Sequence, residues 1–214
     1  MKKFVVSVPL VVCLVLPVLA AVVDGLEPIE PEMAHRFGKI LSDEADKITK
    51  PQIKIVADPD KANGVHAPEK AGILVVPQKD LKESEELAEK FKTEKGASLA
   101  YLFLYHLTPV IDGQPVDASR LRSVELADDN GSKHTVYVLL LAVRQVAEDD
   151  YRLHAYGHDE KPLLDAKFSL GGVAGTDPIS VEVKDINEAT HQGKLVLTVF
   201  GKYQVGFTCG HKAD

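Results

Sequence analysis

Three kinds of apolar spacing divide this chain. Near its start, Phe4 to Val23 is an uncharged and mostly apolar run. From Met33 onward, Met33, Phe37, Ile40, Leu41, Ala45 and Ile48 recur every three or four positions, the stripe of an amphipathic helix. Beyond residue 119, short apolar or alternating segments are separated by turn residues, the pattern of strands.

The helix is predicted over residues 31–48, because Pro31 suits a first turn and Lys50-Pro51 forbids continuation. Strands are predicted at QIKIVA (52–57) and AGILVVP (71–77), with a polar loop between them. The next stretch, KDLKESEELAEKFKTEKG, reads as a second helix. Asp80 and Glu83 form a capping-box pattern, Leu81, Leu87, Ala88 and Phe91 supply one apolar side, and Gly96 is placed as the stop. Glu86 and Lys90 stand four apart, a favourable pair on a solvated face.

ASLAYLFLYHL (97–107) is apolar at successive positions, as a central strand buried on both faces would be. The turn-rich TPVIDGQPVDA (108–118) is the best candidate boundary. Strands then follow at 123–127, 134–146, 151–157, 163–170, 179–186, 194–200 and 203–209. The Asn130-Gly131 pair signals a tight hairpin turn, and Gly201-Lys202 fits a two-residue turn with glycine first. The expected fold is α+β. An N-terminal helix and a small helix-bearing part precede a mostly antiparallel β-rich part, sandwich or barrel-like. As segments, these are a signal peptide (1–20), a leader with the amphipathic helix (21–50), a small α/β part (51–110) and a β-rich part (119–214), unless 51–214 forms one unit. No internal repeat of fixed period is visible.

Lys2 and Lys3 before the apolar run, with Val18 and Ala20 at its exit, give the tripartite pattern of a secretory signal cut after Ala20. The competing reading is an uncleaved membrane anchor. Val12 before Cys13 disfavours lipid attachment there. Cleavage removes two lysines and moves the formal charge from −7 to −9. An acidic exported chain without a basic stripe is a poor nucleic-acid ligand. The expected location is secreted or periplasmic, and the expected partner is a protein or cell-envelope component. Membrane contact is expected only through an uncleaved first segment. A chain of this length buries roughly 70% of its unfolded surface, so it needs neither metal nor disulfide to fold.

Cleavage also leaves Cys209 as the single cysteine of the mature chain. Tyr203, Val205, Phe207 and Cys209 share one face of the last strand, which points to a small buried hydrophobe. His211 has the same parity, so a metal or redox site is the alternative. His154 and His158 in HAYGHDE are the candidates to complete it, with Asp159 and Glu160 beside them. On a regular strand residues four apart lie about 13 Å from each other, so only a bend at Gly157 would unite the two histidines. Asp58, Asp60 and Glu69 echo a calcium loop, but Ala62 and Asn63 occupy positions that need a ligand and a glycine. No G-x-S-x-G, H-E-x-x-H or paired-cysteine motif occurs, and GGVAG (171–175) lacks the phosphate-loop lysine. Asn130-Gly131-Ser132 matches a glycosylation acceptor that the turn already explains.

These features point to a non-enzymatic binding or structural module with no cofactor. Its recognition surfaces are expected in the loops 108–118 and 171–178, or on the leading helix. The alternative is a metal-binding or redox protein using Cys209, His211, His154 and His158, with a transition metal or calcium.

Overall fold

The computed structural model describes residues 26–67, 71–127, 131–171 and 177–211. The expected signal segment with Cys13, Glu69 of the calcium echo, Asn130 and most of the GGVAG loop lie outside them. In chain order the elements are β1 (Glu27–Pro28), α1 (Pro31–Ala45), β2 (Asn63–Ala67), β3 (Ala71–Pro77), α2 (Glu85–Phe91) and β4 (Ala97–Tyr105). There follow β5 (Leu107–Ile111), β6 (Gln114–Pro115), β7 (Arg122–Ala127), β8 (Lys133–Ala147), β9 (Asp150–Tyr156) and β10 (Leu164–Lys167). The chain ends on β11 (Ser169–Leu170), β12 (Ile179–Asn187), β13 (Gln192–Val199) and β14 (Tyr203–His211).

Two antiparallel sheets result, so the fold is α+β with a β-rich body. The first runs β1-β2-β3-β4-β8-β9-β10, with β7 also on β8; the second runs β12-β13-β14-β5-β6, with β11 also on β14. The two sides of residues 108–118 are woven together, since β4 pairs along β8 from Ala97↔Val143 to Tyr105↔Val136.

The all-apolar strands explain the layering. In β8, Leu139, Leu141 and Val143 pack with Leu195, Leu197, Val205 and Phe207 of the second sheet. The intervening Val138, Leu140 and Ala142 pack with Ala34, Leu41 and Ala45 of α1 and with Ile53 and Ile55. The first sheet is therefore covered on both faces, by a helix on one and a sheet on the other. The second sheet turns Lys194, Thr208 and Gln204 outward and stays half polar.

Several expectations are corrected. Helix α1 ends at Ala45, and its buried face is Ala34, Gly38, Leu41, Ser42 and Ala45, while Met33 and Ile40 remain 42% and 41% exposed. Close approach decides this: a Cβ on Gly38 would lie 2.9 Å from the Cβ of Ala62 and 3.4 Å from Cγ2 of Val76. Tyr101 donates to Asp46 Oδ1 at 3.0 Å beyond the helix end. Segment 52–57 buries Ile53 and Ile55 but forms no ladder beyond a single bridge, Ala57 to Gln78. Instead a strand, β2, runs through the supposed polar loop, preceded by a short 3₁₀ turn at Pro59–Lys61. Helix α2 starts later than the Asp80 box, because the Ser84 hydroxyl accepts from the Leu87 N–H at 3.2 Å. The single strand expected over 97–107 breaks at His106, whose φ of 55° turns the chain from the first sheet into the second. The last hairpin turns on Phe200 and Gly201 (φ 52° and 68°), not on Gly201 and Lys202. Asp112 and Gly113 (φ 51° and 76°) turn the β5–β6 hairpin in the same mirror-image way.

Strands β7 and β9 lie end to end on one edge of β8, pairing with Lys133–Val138 and Leu140–Ala147 respectively. Arg122 fills the break. Its Nε donates to Gly157 O at 2.8 Å, Nη1 to Thr49 O at 3.3 Å and Nη2 to Lys50 O at 3.1 Å. Gln52 donates to His158 O at 3.1 Å, and the His158 N–H donates to Arg120 O at 2.8 Å. A Cβ on Gly157 would sit 2.2 Å from Arg120 O and 2.4 Å from Leu163 Cδ1. Gly157→Ala is expected to destabilise by roughly 2 kcal/mol or more, since backbone must shift to admit the methyl. Urea midpoints measured beside those of the exposed Ser180→Ala check this; equal midpoints would refute it.

Candidate functional site

The four residues nominated as metal ligands do not meet. Cys209 lies on β14 opposite Gly193 and Pro109, 4% exposed and packed in the core between the sheets. Burial pushes its thiol up to about 12, so it stays protonated at neutral pH. His154 is 6% exposed on β9, facing away from that core because Leu153 and Ala155 on either side face into it. The first sheet therefore stands between Cys209 and His154. His154 Nε2 lies 3.7 Å from Asp165 Oδ1, and Nδ1 lies 3.4 Å from Tyr156 Oη. Burial holds the imidazole pKa below its usual value, with Asp165 opposing. His158 sits exposed in the turn after β9. His211, exposed at the end of β14, stacks on His106 instead, with centroids 6.1 Å apart and planes at 17°. Among the described residues, no group of three or more His, Cys, Asp or Glu is placed to hold a metal ion.

Concave, partly apolar surface is found elsewhere, between α2, the start of β9 and the β13–β14 turn. Phe91 of α2 meets Tyr151 of β9 edge to face, with centroids 5.9 Å apart. Phe168, Phe200 and Tyr203 supply further rings, all half-buried, and Leu87 supplies aliphatic surface. The cleft encloses about 450 Å³, within the span of small-ligand pockets. Each element reaches it for a local reason. Ser84 caps α2 so that Leu87 and Phe91, four apart, share a side. The two-residue Glu148-Asp149 turn between β8 and β9 delivers Asp149 and Tyr151 to the mouth. The left-handed backbone at Phe200, unusual for a bulky residue, turns that ring into the cleft wall.

Among the described residues the lining includes the carboxylates Glu83 and Asp149 and the hydroxyls Ser84 and Ser169, but no Lys, Arg, His or Cys. Lys202, from the adjacent turn, reaches Glu83 Oε1 at 2.6 Å while its Nζ stands 4.9 Å from the Tyr203 ring centroid. The hydrogen bond to Glu83 holds the Lys202 pKa above its usual value. A second hollow of about 730 Å³ adjoins, whose charged lining is Asp58, Lys61, Asp80, Lys82 and Asp177, and it shares Glu83 and Phe200 with the first. Such an arrangement can hold an apolar body by contact with rings. Among the described residues, the cleft lining places no His, Cys or Lys beside the two serines.

None of these cleft residues stood out in the sequence as a site. They come from four separate stretches, and the available signal was only that aromatics sit next to turns. Compared with known protein families, curated proteins and solved structures, the chain matches none.

Two outcomes follow from the burial of Cys209 and His154. A thiol reagent is expected to leave native Cys209 unmodified and to react stoichiometrically in denaturant; rapid native labelling would contradict its burial. The fold holds His154 neutral, so its contribution is complete above the unfolded value near 6.5 and shrinks as pH falls below it. Thermal midpoints from about pH 8 to pH 5 are expected to fall less steeply for His154→Gln than for the parent chain; identical slopes would refute this assignment.

Proposed function

We propose that this chain is an exported, non-enzymatic binding module that holds a small, largely apolar ligand in the cleft between α2 and the β13–β14 turn. One observation carries the reading: five aromatic rings from α2, β9 and the β11–β14 region line a hollow of ligand size without closing it. Export is supported by the basic start and the apolar run from Phe4 to Val23. Among the described residues no helix is long and apolar enough to cross a membrane.

Two of the recognition surfaces suggested by the sequence have structural duties, and most of the third, residues 171–178, lies outside the described residues. Residues 108–118 contain the β5–β6 hairpin, and the small-residue face of α1 packs on the first sheet, leaving Met33 and Ile40 of the predicted stripe exposed. The cleft rings pack on the edge of the core, yet they stay only half-buried and α2 buries none of its residues, which leaves the hollow open. The absence of His, Cys and Lys from its lining, among the described residues, supports binding over catalysis.

Titration with the neutral apolar dye Nile red tests the reading. Saturable one-to-one binding is expected, weakened at least tenfold in Leu87→Glu, with circular dichroism confirming an unchanged fold. No saturable binding, or equal binding by Leu87→Glu, would overturn it.

A further inference from the structure

We propose that the ligand of this cleft carries a cationic nitrogen on its apolar body, as an amphipathic amine or quaternary ammonium does. The inference rests on the cleft reading above and adds the chemical class. Aromatic faces carry negative quadrupole charge and attract a cation held within about 6 Å of a ring centroid. Among the described residues the lining combines five rings with two carboxylates, and the Lys202 ammonium at its rim is already paired with Glu83. An anionic ligand would have to draw Lys202 away from Glu83 and would still face Asp149.

The protein displays the interaction at its own rim. The Lys202 ammonium lies 4.9 Å from the centroid of Tyr203, a lining residue, and 2.6 Å from Glu83, another. One ammonium thus already finds a ring and a carboxylate together at the cleft mouth. Lys202 is exposed on a turn, so a ligand cation can displace it at little cost. Asp149, exposed across the mouth and in no ion pair among the described residues, supplies a second carboxylate for the same charge. A permanently charged nitrogen suits such a site, because its weak hydration makes transfer onto rings inexpensive, whereas a hard anion gains nothing there.

Benzyltrimethylammonium and its uncharged isostere neopentylbenzene separate charge from shape, and phenylacetate supplies the opposite sign. Binding of each is followed by NMR shifts of the Tyr and Phe rings in the purified chain. The ammonium is expected to bind on the order of tenfold more tightly than the isostere, with shifts confined to the cleft rings. Asp149→Asn is expected to reduce that preference several-fold, and Lys202→Met to tighten ammonium binding by removing its internal competitor. If the isostere or phenylacetate binds as tightly as the ammonium, the cationic class falls while the cleft reading stands. If both substitutions leave the preference unchanged, the class falls as well. If none of the three compounds and no Nile red binds, both readings fall together.

Discussion

Strand β8 has no face that can be left in water. Its run from Val136 to Val143 is buried at every position, and alternation sends half of those side chains to each side of the sheet. A sheet built around such a strand must be covered twice. Helix α1 and the 53–55 segment cover one face, and the second sheet covers the other. The rest of the architecture follows from that demand. The chain leaves the first sheet at His106 to start the second, returns for β7 to β10, and leaves again for β11 to β14. Long-range antiparallel pairing therefore joins segments far apart in sequence, and neither half of the chain completes a core alone.

Both sheets share a device that has opposite outcomes. In each, one long strand offers an edge to two shorter strands placed end to end. On β8 the break between β7 and β9 is closed, because Arg122 satisfies three carbonyls from two segments and Gly157 lets the backbones approach. Desolvation lowers the Arg122 pKa, but a guanidinium stays charged and keeps its donors aimed. On β14 the same edge is shared by β5 and the two-residue β11. There the pairing stops early, Leu170 is 83% exposed, and the aromatic cleft opens beside it.

The cleft also sits under the least anchored helix. α2 has seven residues, none buried, and its ties are the edge-to-face contact of Phe91 with Tyr151 and the Glu83–Lys202 ion pair just ahead of it. Exposed ion pairs contribute at most about 1 kcal/mol. Segments held this lightly sample open states at low free energy, which suits the proposed role of a wall that admits a ligand. On the other sides Tyr151 and Tyr203 stand on strands of the two sheets, and Phe168 is tied to β9 by its N–H to Tyr151 O at 2.9 Å. A stable frame with one loosely attached wall is a physical basis for reversible binding.

The sequence by itself determined the two apolar strands, the amphipathic first helix, most of the later strands and the inert face on which Cys209 lies. Periodicity and turn chemistry are local properties, and these elements obey them. Val205, Phe207 and Cys209 are buried as alternation requires. Tertiary structure decided the rest. It selected the small-residue face of α1, because the sheet approaches too closely for bulk at Gly38. It made a strand of Asn63–Ala67, where only Val65 is a large apolar residue, because β3 offered an open edge. It separated Cys209 from His154 by placing a whole sheet between them, and it gathered Phe91, Tyr151, Phe168, Phe200 and Tyr203 from four stretches around one hollow. Spacing along a chain encodes which face a side chain takes, but which distant faces meet depends on how sheets pair and stack, and that is settled only by folding.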